Sequence, residues 1–109
     1  MMKYLITALC LYFAASSLQA AGNPAAGKEK SQTCAACHGM GGNSTIPMNP
    51  TLAGQYEGYL IQALKAYKSG ERKNAIMAAM VAPLSDEDIA DLAAYFARQK
   101  GLYDTPAGM

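Results

Sequence analysis

The sequence predicts an all-α domain, and two kinds of observation support that fold class. Apolar residues recur at the three- and four-residue spacing of one helix face in two long stretches, 55–69 and 85–100. Capping residues precede these stretches, Gly and Pro residues separate them, and no segment is rich in strand-forming residues. We therefore expect helices that are joined by loops containing Gly and Pro.

The first predicted helix begins at Asn23 and Pro24, because Asn is a favourable N-cap and Pro fits the first helical position. It is expected to continue into residues 34–38. Gly27 interrupts it, either at a small penalty in helix propensity or because another helix crosses close by. Residues 39–50 have the composition of a loop.

A second helix is predicted over 55–69, ending at Ser69 and Gly70. Its apolar stripe consists of Tyr56, Tyr59, Leu60, Ala63, Leu64 and Tyr67. A short third helix is expected over 73–79, before Pro83.

The last predicted helix begins where Ser85 and Asp88 have the spacing of a capping box. Its acidic first turn suits the positive end of a helix dipole. Gly101 is the expected C-cap of this helix.

The chemically most specific motif is Cys34-Ala35-Ala36-Cys37-His38. Two thiols three positions apart, followed at once by an imidazole, are the attachment signature of a c-type haem. One helical turn places both sulfurs on one side of the backbone, where they can form thioethers with the two vinyl groups. The imidazole then lies under the ring as an iron ligand. The motif therefore predicts one covalent haem c as the cofactor, bound through Cys34 and Cys37 with His38 on the iron.

The thiol pair has two alternative interpretations. Cys-x-x-Cys also occurs in thioredoxin-like redox sites and in zinc sites. A thioredoxin-like site requires a βαβ context, which this sequence lacks. A zinc site requires a second pair of ligands, whereas the third cysteine is Cys10 and the chain has one His. Haem attachment is therefore preferred.

Residues 1–20 have the pattern of a secretory signal peptide. Lys3 precedes an apolar run over residues 4–15, and small residues lead to a cleavage site after Ala20. The run is shorter than the roughly 20 residues that span a bilayer, so a retained anchor is the less favoured alternative. We expect a periplasmic domain, 21–109, without stable membrane insertion. The whole chain has nine Lys and Arg against eight Asp and Glu, and this balance gives no support for nucleic-acid binding.

A second protein ligand for the iron cannot be another histidine, because the chain has one His, and methionine is the best remaining candidate. The candidates after the signal peptide are Met40, Met48, Met77, Met80 and Met109. Met40 lies within about 7 Å of His38 along the backbone, which is too close to reach the opposite face of the ring. Met48 falls in the loop that is expected on the same side of the ring as His38. The terminal methionine is expected to be disordered. Met77 and Met80 remain, on one helix face, and the residues alone do not choose between them.

With these motifs in place, the chain closely resembles the class I c-type cytochromes, in particular the small bacterial periplasmic branch of c-553 or c4 type. The resemblance covers nearly all of 21–109, and it implies the class I cytochrome c fold, with helices wrapped around one covalently bound haem. It also implies a tight crossing of the first and last helices at Gly27 and Tyr95. The matching segments are Gly27, 34–39, 42–44, Pro47, 52–55, 59–60, 67–70, Met77, 84–86 and 92–96.

The resemblance also implies roles for individual residues. The family's distal methionine stands seven residues before the Leu-Ser pair at the last helix, which is Met77 here and makes Met80 the less favoured ligand. Pro47 matches the family proline whose carbonyl accepts a hydrogen bond from the ligand imidazole, a contact that fixes the tautomer.

This ligand set predicts a one-electron carrier and not an enzyme, since six-coordinate iron leaves no open position for a substrate. The expected partners are redox proteins: a respiratory complex, a terminal oxidase or a periplasmic dehydrogenase. The alternative is a haem c subunit that accepts electrons from a periplasmic dehydrogenase complex. We expect a monomer. The basic residues Lys65, Lys68, Arg72 and Lys73 either steer an acidic partner or form solvated helix faces.

Overall fold

The computed structural model describes residues 22–103, and this part of the chain is helical and contains no β-strand. The helices are α1 (Pro24–Lys30), α2 (Gln32–His38), α3 (Glu57–Ser69), α4 (Ala75–Val81) and α5 (Asp86–Ala97), with a 3-10 helix (Met40–Gly42) after α2. The predicted all-α class is confirmed. The predicted signal peptide, with Cys10, and Met109 lie outside the described residues. Within 22–103, every helix is too short or too polar to cross a membrane.

The predicted first helix is in fact two helices. As expected, the side chain of Asn23 accepts hydrogen bonds from the N–H groups of Ala25 and Ala26, at 3.0 and 3.2 Å. The helix is interrupted at Ser31, whose hydroxyl donates to the carbonyl of Lys28 at 2.6 Å. Serine competes in this way for backbone partners, which is why it often interrupts helices.

Helix α4 begins two residues later than predicted. Asn74 is its N-cap, with a side chain that accepts from the N–H groups of Ile76 and Met77 at 3.1 and 3.0 Å. The cap at Asn74 explains the later start of α4, because Asn favours the cap position over the helix interior. The preceding helix α3 ends as predicted at Gly70, which has a left-handed φ of 86°.

Helix α5 has the predicted capping box between Ser85 and Asp88. It ends at Ala97, however, and the expected C-cap at Gly101 is wrong. Gly101 is needed for close packing instead: a Cβ there would lie 2.3 Å from the carbonyl oxygen of Ala53. The segment after α5 therefore lies directly on the loop that precedes α3.

Helix α5 is the central element, and α1 and α3 pack against it. The core cluster consists of Leu60, Leu92, Ala93, Phe96 and Ala97. The predicted stripe on α3 is only partly correct, because Leu60 is buried whereas Tyr56 and Tyr59 are 44% and 46% exposed.

The crossing of α1 and α5 is as close as the sequence predicted. A Cβ at Gly27 would lie 1.9 Å from the carbonyl oxygen of Asp91 and 2.8 Å from the Cβ of Tyr95. Both contacts are shorter than non-bonded atoms tolerate, so this crossing requires Gly.

Gly27→Ala should therefore destabilise the fold by about 3 kcal/mol, since the added methyl group forces the two helices apart. Gly58→Ala in α3 is the matched control, because a Cβ there meets nothing within 4 Å. The control should stabilise by up to about 1 kcal/mol through helix propensity. Urea unfolding of both variants measures the difference, and equal midpoints would contradict this account of the crossing.

A charged network ties the same two helices together. The ammonium of Lys30 contacts Asp88 at 2.8 Å and Asp91 at 2.6 Å. Asp91 is only 3% exposed and also accepts from the backbone N–H of Asn23 at 2.7 Å. Lys30, and then Ser85, lower the pKa of Asp88 to about 2. Burial pushes the pKa of Asp91 upward, but the bonds from Asn23 and Lys30 outweigh it and leave the pKa below its ordinary value.

This network should make the fold sensitive to acid. A carboxylate with a lowered native pKa stabilises the fold above its unfolded pKa, 3.8 for Asp88, and that stabilisation is lost as the pH falls towards about 2. Asp88→Asn should therefore reduce the loss of stability between these two pH values. Asp86→Asn removes a carboxylate that makes no ion pair within 22–103, and should leave the loss unchanged. The prediction would be refuted if acid-unfolding curves showed that both variants lose the same stability between these two pH values.

Candidate haem-binding site

Helix α2 presents the two thiols of the motif. Cys34 is half-buried and packs against the core cluster, whereas Cys37 is exposed. Burial raises the pKa of the Cys34 thiol, which keeps it protonated at neutral pH. A protonated thiol is a poor nucleophile, so the burial of Cys34 does not favour a redox-active dithiol.

The imidazole of His38 is 8% exposed and is oriented by one hydrogen bond. Its Nδ1 lies 2.7 Å from the carbonyl oxygen of Pro50. Because a carbonyl can only accept, Nδ1 must carry the proton and donate it. Nε2 then holds the free lone pair that an iron ligand needs, and the bond to Pro50 makes that nitrogen more basic.

The acceptor is Pro50, so the prediction that Pro47 provides this carbonyl is wrong. The loop turns back on itself between the two prolines, where the N–H of Asn49 donates to the carbonyl of Ile46 at 3.0 Å. Pro47 is the second residue of that turn and is exposed. The return of the chain after the turn is a tertiary feature, and it brings the second proline to the imidazole.

The loop is attached to α2 and to the core at several points. The side chain of Asn49 donates to the carbonyl of Cys37 at 2.9 Å, a contact that sequence reasoning missed. The carbonyl of Gly42 accepts from Leu52 and Ala53, at 2.8 and 3.1 Å. A Cβ at Gly42 would lie 2.7 Å from the ring of Phe96, and its φ is 84°, so Gly is required there. These contacts hold the Pro50 carbonyl in place.

The methionines differ in exposure. Met40 and Met48 are 84% and 92% exposed. Met77 is half-buried on α4, and Met80 lies one turn later on the same helix and is 40% exposed. Helix α4 packs against α3. The structure therefore presents Met77 and Met80 from one short helix, and their roles remain proposals.

The donor set fits a covalently attached haem. It combines two thiols one turn apart with an imidazole whose Nε2 is free. Half-buried side chains that border the core cluster include Cys34, Leu52, Leu64 and Leu84, which can form an apolar wall for a flat ring. Within 22–103, no group of three or more His, Cys, Asp and Glu side chains is placed to hold a metal ion, whereas a structural zinc site needs four ligands.

Comparison with known proteins agrees with this geometry. The model of the cytochrome c family matches residues 24–100. The chain belongs to the cytochrome c family. Membership implies a covalently attached haem c, and the predicted resemblance to the class I c-type cytochromes is confirmed.

The relatives of this cytochrome differ in length. It is 46% identical to cytochrome c4 of Pseudomonas aeruginosa, over 91% of this chain and 50% of that protein. It is 49% identical to cytochrome c-554(548) of Halomonas halodenitrificans, over 73% of this chain and 100% of that protein. The crystal structure of reduced recombinant cytochrome c4 from Pseudomonas stutzeri superposes with a TM-score of 0.72 at 46% identity, covering 75% of this chain and 48% of that one. The chain thus spans about half the length of the cytochrome c4 relatives.

Another relative carries a functional name. The protein named thiosulfate dehydrogenase electron acceptor from Thiomonas intermedia is 38% identical, over 83% of this chain and 40% of that protein.

Proposed function

We propose that this cytochrome is a periplasmic one-electron carrier with one haem c. Cys34 and Cys37 would hold the haem, and His38 and Met77 would bind its iron, with Met80 as the less favoured candidate for the second ligand. When bound, the haem supplies a single Fe(II)/Fe(III) couple, and the protein has no catalytic residue of its own.

The observation that carries this proposal is the bond between His38 Nδ1 and the Pro50 carbonyl. It keeps the proton on Nδ1 and aims Nε2 away from the loop, so the imidazole is ready to bind iron in either oxidation state. A ligand that does not reorient keeps the structural change during electron transfer small. The loop contacts from Asn49 and Gly42 support that rigidity.

A methionine as the second ligand completes the case for a carrier. Met/His ligation raises the reduction potential, and with both residues bound the iron would offer no position to oxygen or carbon monoxide. The names of the relatives, cytochromes c4 and c-554(548), are consistent with electron transfer.

The test is the spectrum and mass of the exported protein. A pyridine haemochrome spectrum typical of two thioether bonds, a mass of one polypeptide plus one haem, and no binding of carbon monoxide to the ferrous protein are expected. A colourless product would refute haem attachment, and tight carbon monoxide binding at neutral pH would favour an enzyme with an open iron position.

A second candidate is an electron-accepting subunit of a periplasmic dehydrogenase. The relative named as an acceptor of thiosulfate dehydrogenase favours it. Reduction of the ferric protein by a purified thiosulfate dehydrogenase, together with elution as a stable complex, would support this role. Elution as a monomer in the presence of that enzyme would support the freely diffusing carrier.

A further inference from the structure

Helix α4, which carries the two candidate methionines, has few apolar anchors of its own. It has seven residues, and among them only Val81 is buried. Ile76 is 71% exposed and Met80 is 40% exposed. So short a helix is not stable in isolation, and its position must depend on contacts made by the segments on either side.

The segment before α4 is attached to α3 by Arg72. The backbone N–H groups of Gly70 and Arg72 both donate to the carbonyl of Ala66, at 3.1 Å, and turn the chain back over α3. The guanidinium of Arg72 then lies over the ring of Tyr67, 4.9 Å from its centroid, and donates to the hydroxyl of Tyr59 at 3.2 Å. A cation over an aromatic face and a hydrogen bond to a second ring fix both the direction and the distance of this segment.

The segment after α4 is also attached to α3. The ammonium of Lys68 donates to the carbonyl of Leu84, which follows α4 and precedes the capping box of α5. Helix α3 therefore holds the chain on both sides of α4, through Arg72 before it and Lys68 after it. We name these contacts the α4 tethers.

We propose that the α4 tethers keep Met77 on the iron, with Arg72 as the principal positioning residue. This inference rests on the proposed ligation. The physical reason is that a thioether is a neutral, weak ligand, so its occupancy depends on how often α4 moves away. Local opening of a segment is governed by the few contacts that hold it. Loss of the Arg72 contacts should raise the open population and let small external ligands take the place of the sulfur.

The test is an imidazole titration of the ferric holoprotein. Loss of the near-infrared sulfur-to-iron band is the signal that reports imidazole binding. Arg72→Ala should bind imidazole roughly fivefold to tenfold more tightly, as expected for loss of one hydrogen bond and one cation–π contact. Tyr59→Phe, which removes only the acceptor hydroxyl, should tighten binding about threefold. Arg72→Lys retains the charge and should restore part of the wild-type affinity.

The matched control is Lys73→Ala. Lys73 is the neighbouring cation in the same segment, and within residues 22–103 it makes no hydrogen bond or ion pair, so its removal changes the charge alone. Its imidazole affinity should remain that of the wild type. Equal tightening in Arg72→Ala and Lys73→Ala would overturn the proposal, because the effect would then be one of charge.

Two further measurements separate positioning from general stability. The thermal midpoint of the far-ultraviolet signal should be nearly the same in Tyr59→Phe and wild type, while amide hydrogen exchange should accelerate within α4. If Arg72→Ala does not fold, Tyr59→Phe and Arg72→Lys decide the question. The proposal would be refuted if Tyr59→Phe bound imidazole with the affinity of the wild type and its amide exchange within α4 were also unchanged. Absence of the near-infrared band from the wild type would instead refute the methionine ligation on which the inference rests.

Discussion

Cys37→Ala is expected to yield little folded protein when the chain is expressed with its export signal. The variant loses one of the two thioether bonds, and the remaining Cys34 lies at the edge of the core cluster. For a domain of this size the polypeptide core alone supplies at most about 3–5 kcal/mol. The core cluster here includes two alanines among its five residues, so the haem faces are needed to complete it. Helical circular dichroism, haem content and soluble yield measure the effect.

Ala36→Ser is the matched control for this prediction. Ala36 is an exposed residue of α2 between the same two thiols, and the substitution leaves both thioether positions intact. This control should retain full haem content and a wild-type melting curve. A haem-free Cys37→Ala product that is well folded and melts cooperatively would show that the polypeptide is stable without its cofactor.

Met77→Ala is expected to abolish the near-infrared sulfur-to-iron band and to lower the reduction potential. Methionine as the partner of a histidine ligand raises the reduction potential, so loss of the methionine should lower the potential by on the order of 0.1 V or more. This shift lies within the roughly 0.8 V range that axial ligands span. The ferrous variant should also bind carbon monoxide, because one axial position is open. Absorption spectra and a redox titration of the purified protein measure all three changes.

Met80→Ala provides the control, since it removes a methionine from the same helix one turn later. It should keep the band and a potential close to that of the wild type. The opposite pattern, with the band retained in Met77→Ala and lost in Met80→Ala, would assign the ligand to Met80.

Local signals in the sequence were sufficient for most helix boundaries. Asn23, Ser85 and Gly70 each act within a few residues of their own position, so their roles as caps could be predicted and are confirmed. Gly27 was predicted as a possible crossing point, and the clash that a Cβ would make with Asp91 confirms it. The interruption at Ser31 was missed, because its hydroxyl bond to Lys28 competes with a helix that propensity alone would continue.

The other errors concern contacts between distant segments. Gly101 was expected to cap α5, but it permits the close approach of the chain to Ala53. Arg72 was grouped with neighbouring cations as a charged surface, whereas its guanidinium contacts Tyr59 and Tyr67. A charge pattern cannot show which cation folds back onto a ring, because that depends on the path of the turn after α3.

The sequence by itself determined the chemistry of this cytochrome: two thiols and an imidazole at a spacing that suits a covalent haem, on a chain of helices. Only the tertiary structure decided which carbonyl orients His38. Pro47 and Pro50 have the same chemistry and lie three residues apart, but Pro47 lies within the turn closed by Asn49, whereas Pro50 follows it and has its carbonyl oxygen 2.7 Å from Nδ1. Residue type sets what a group can bind, whereas the path of the backbone sets which of two equivalent groups is close enough to do so.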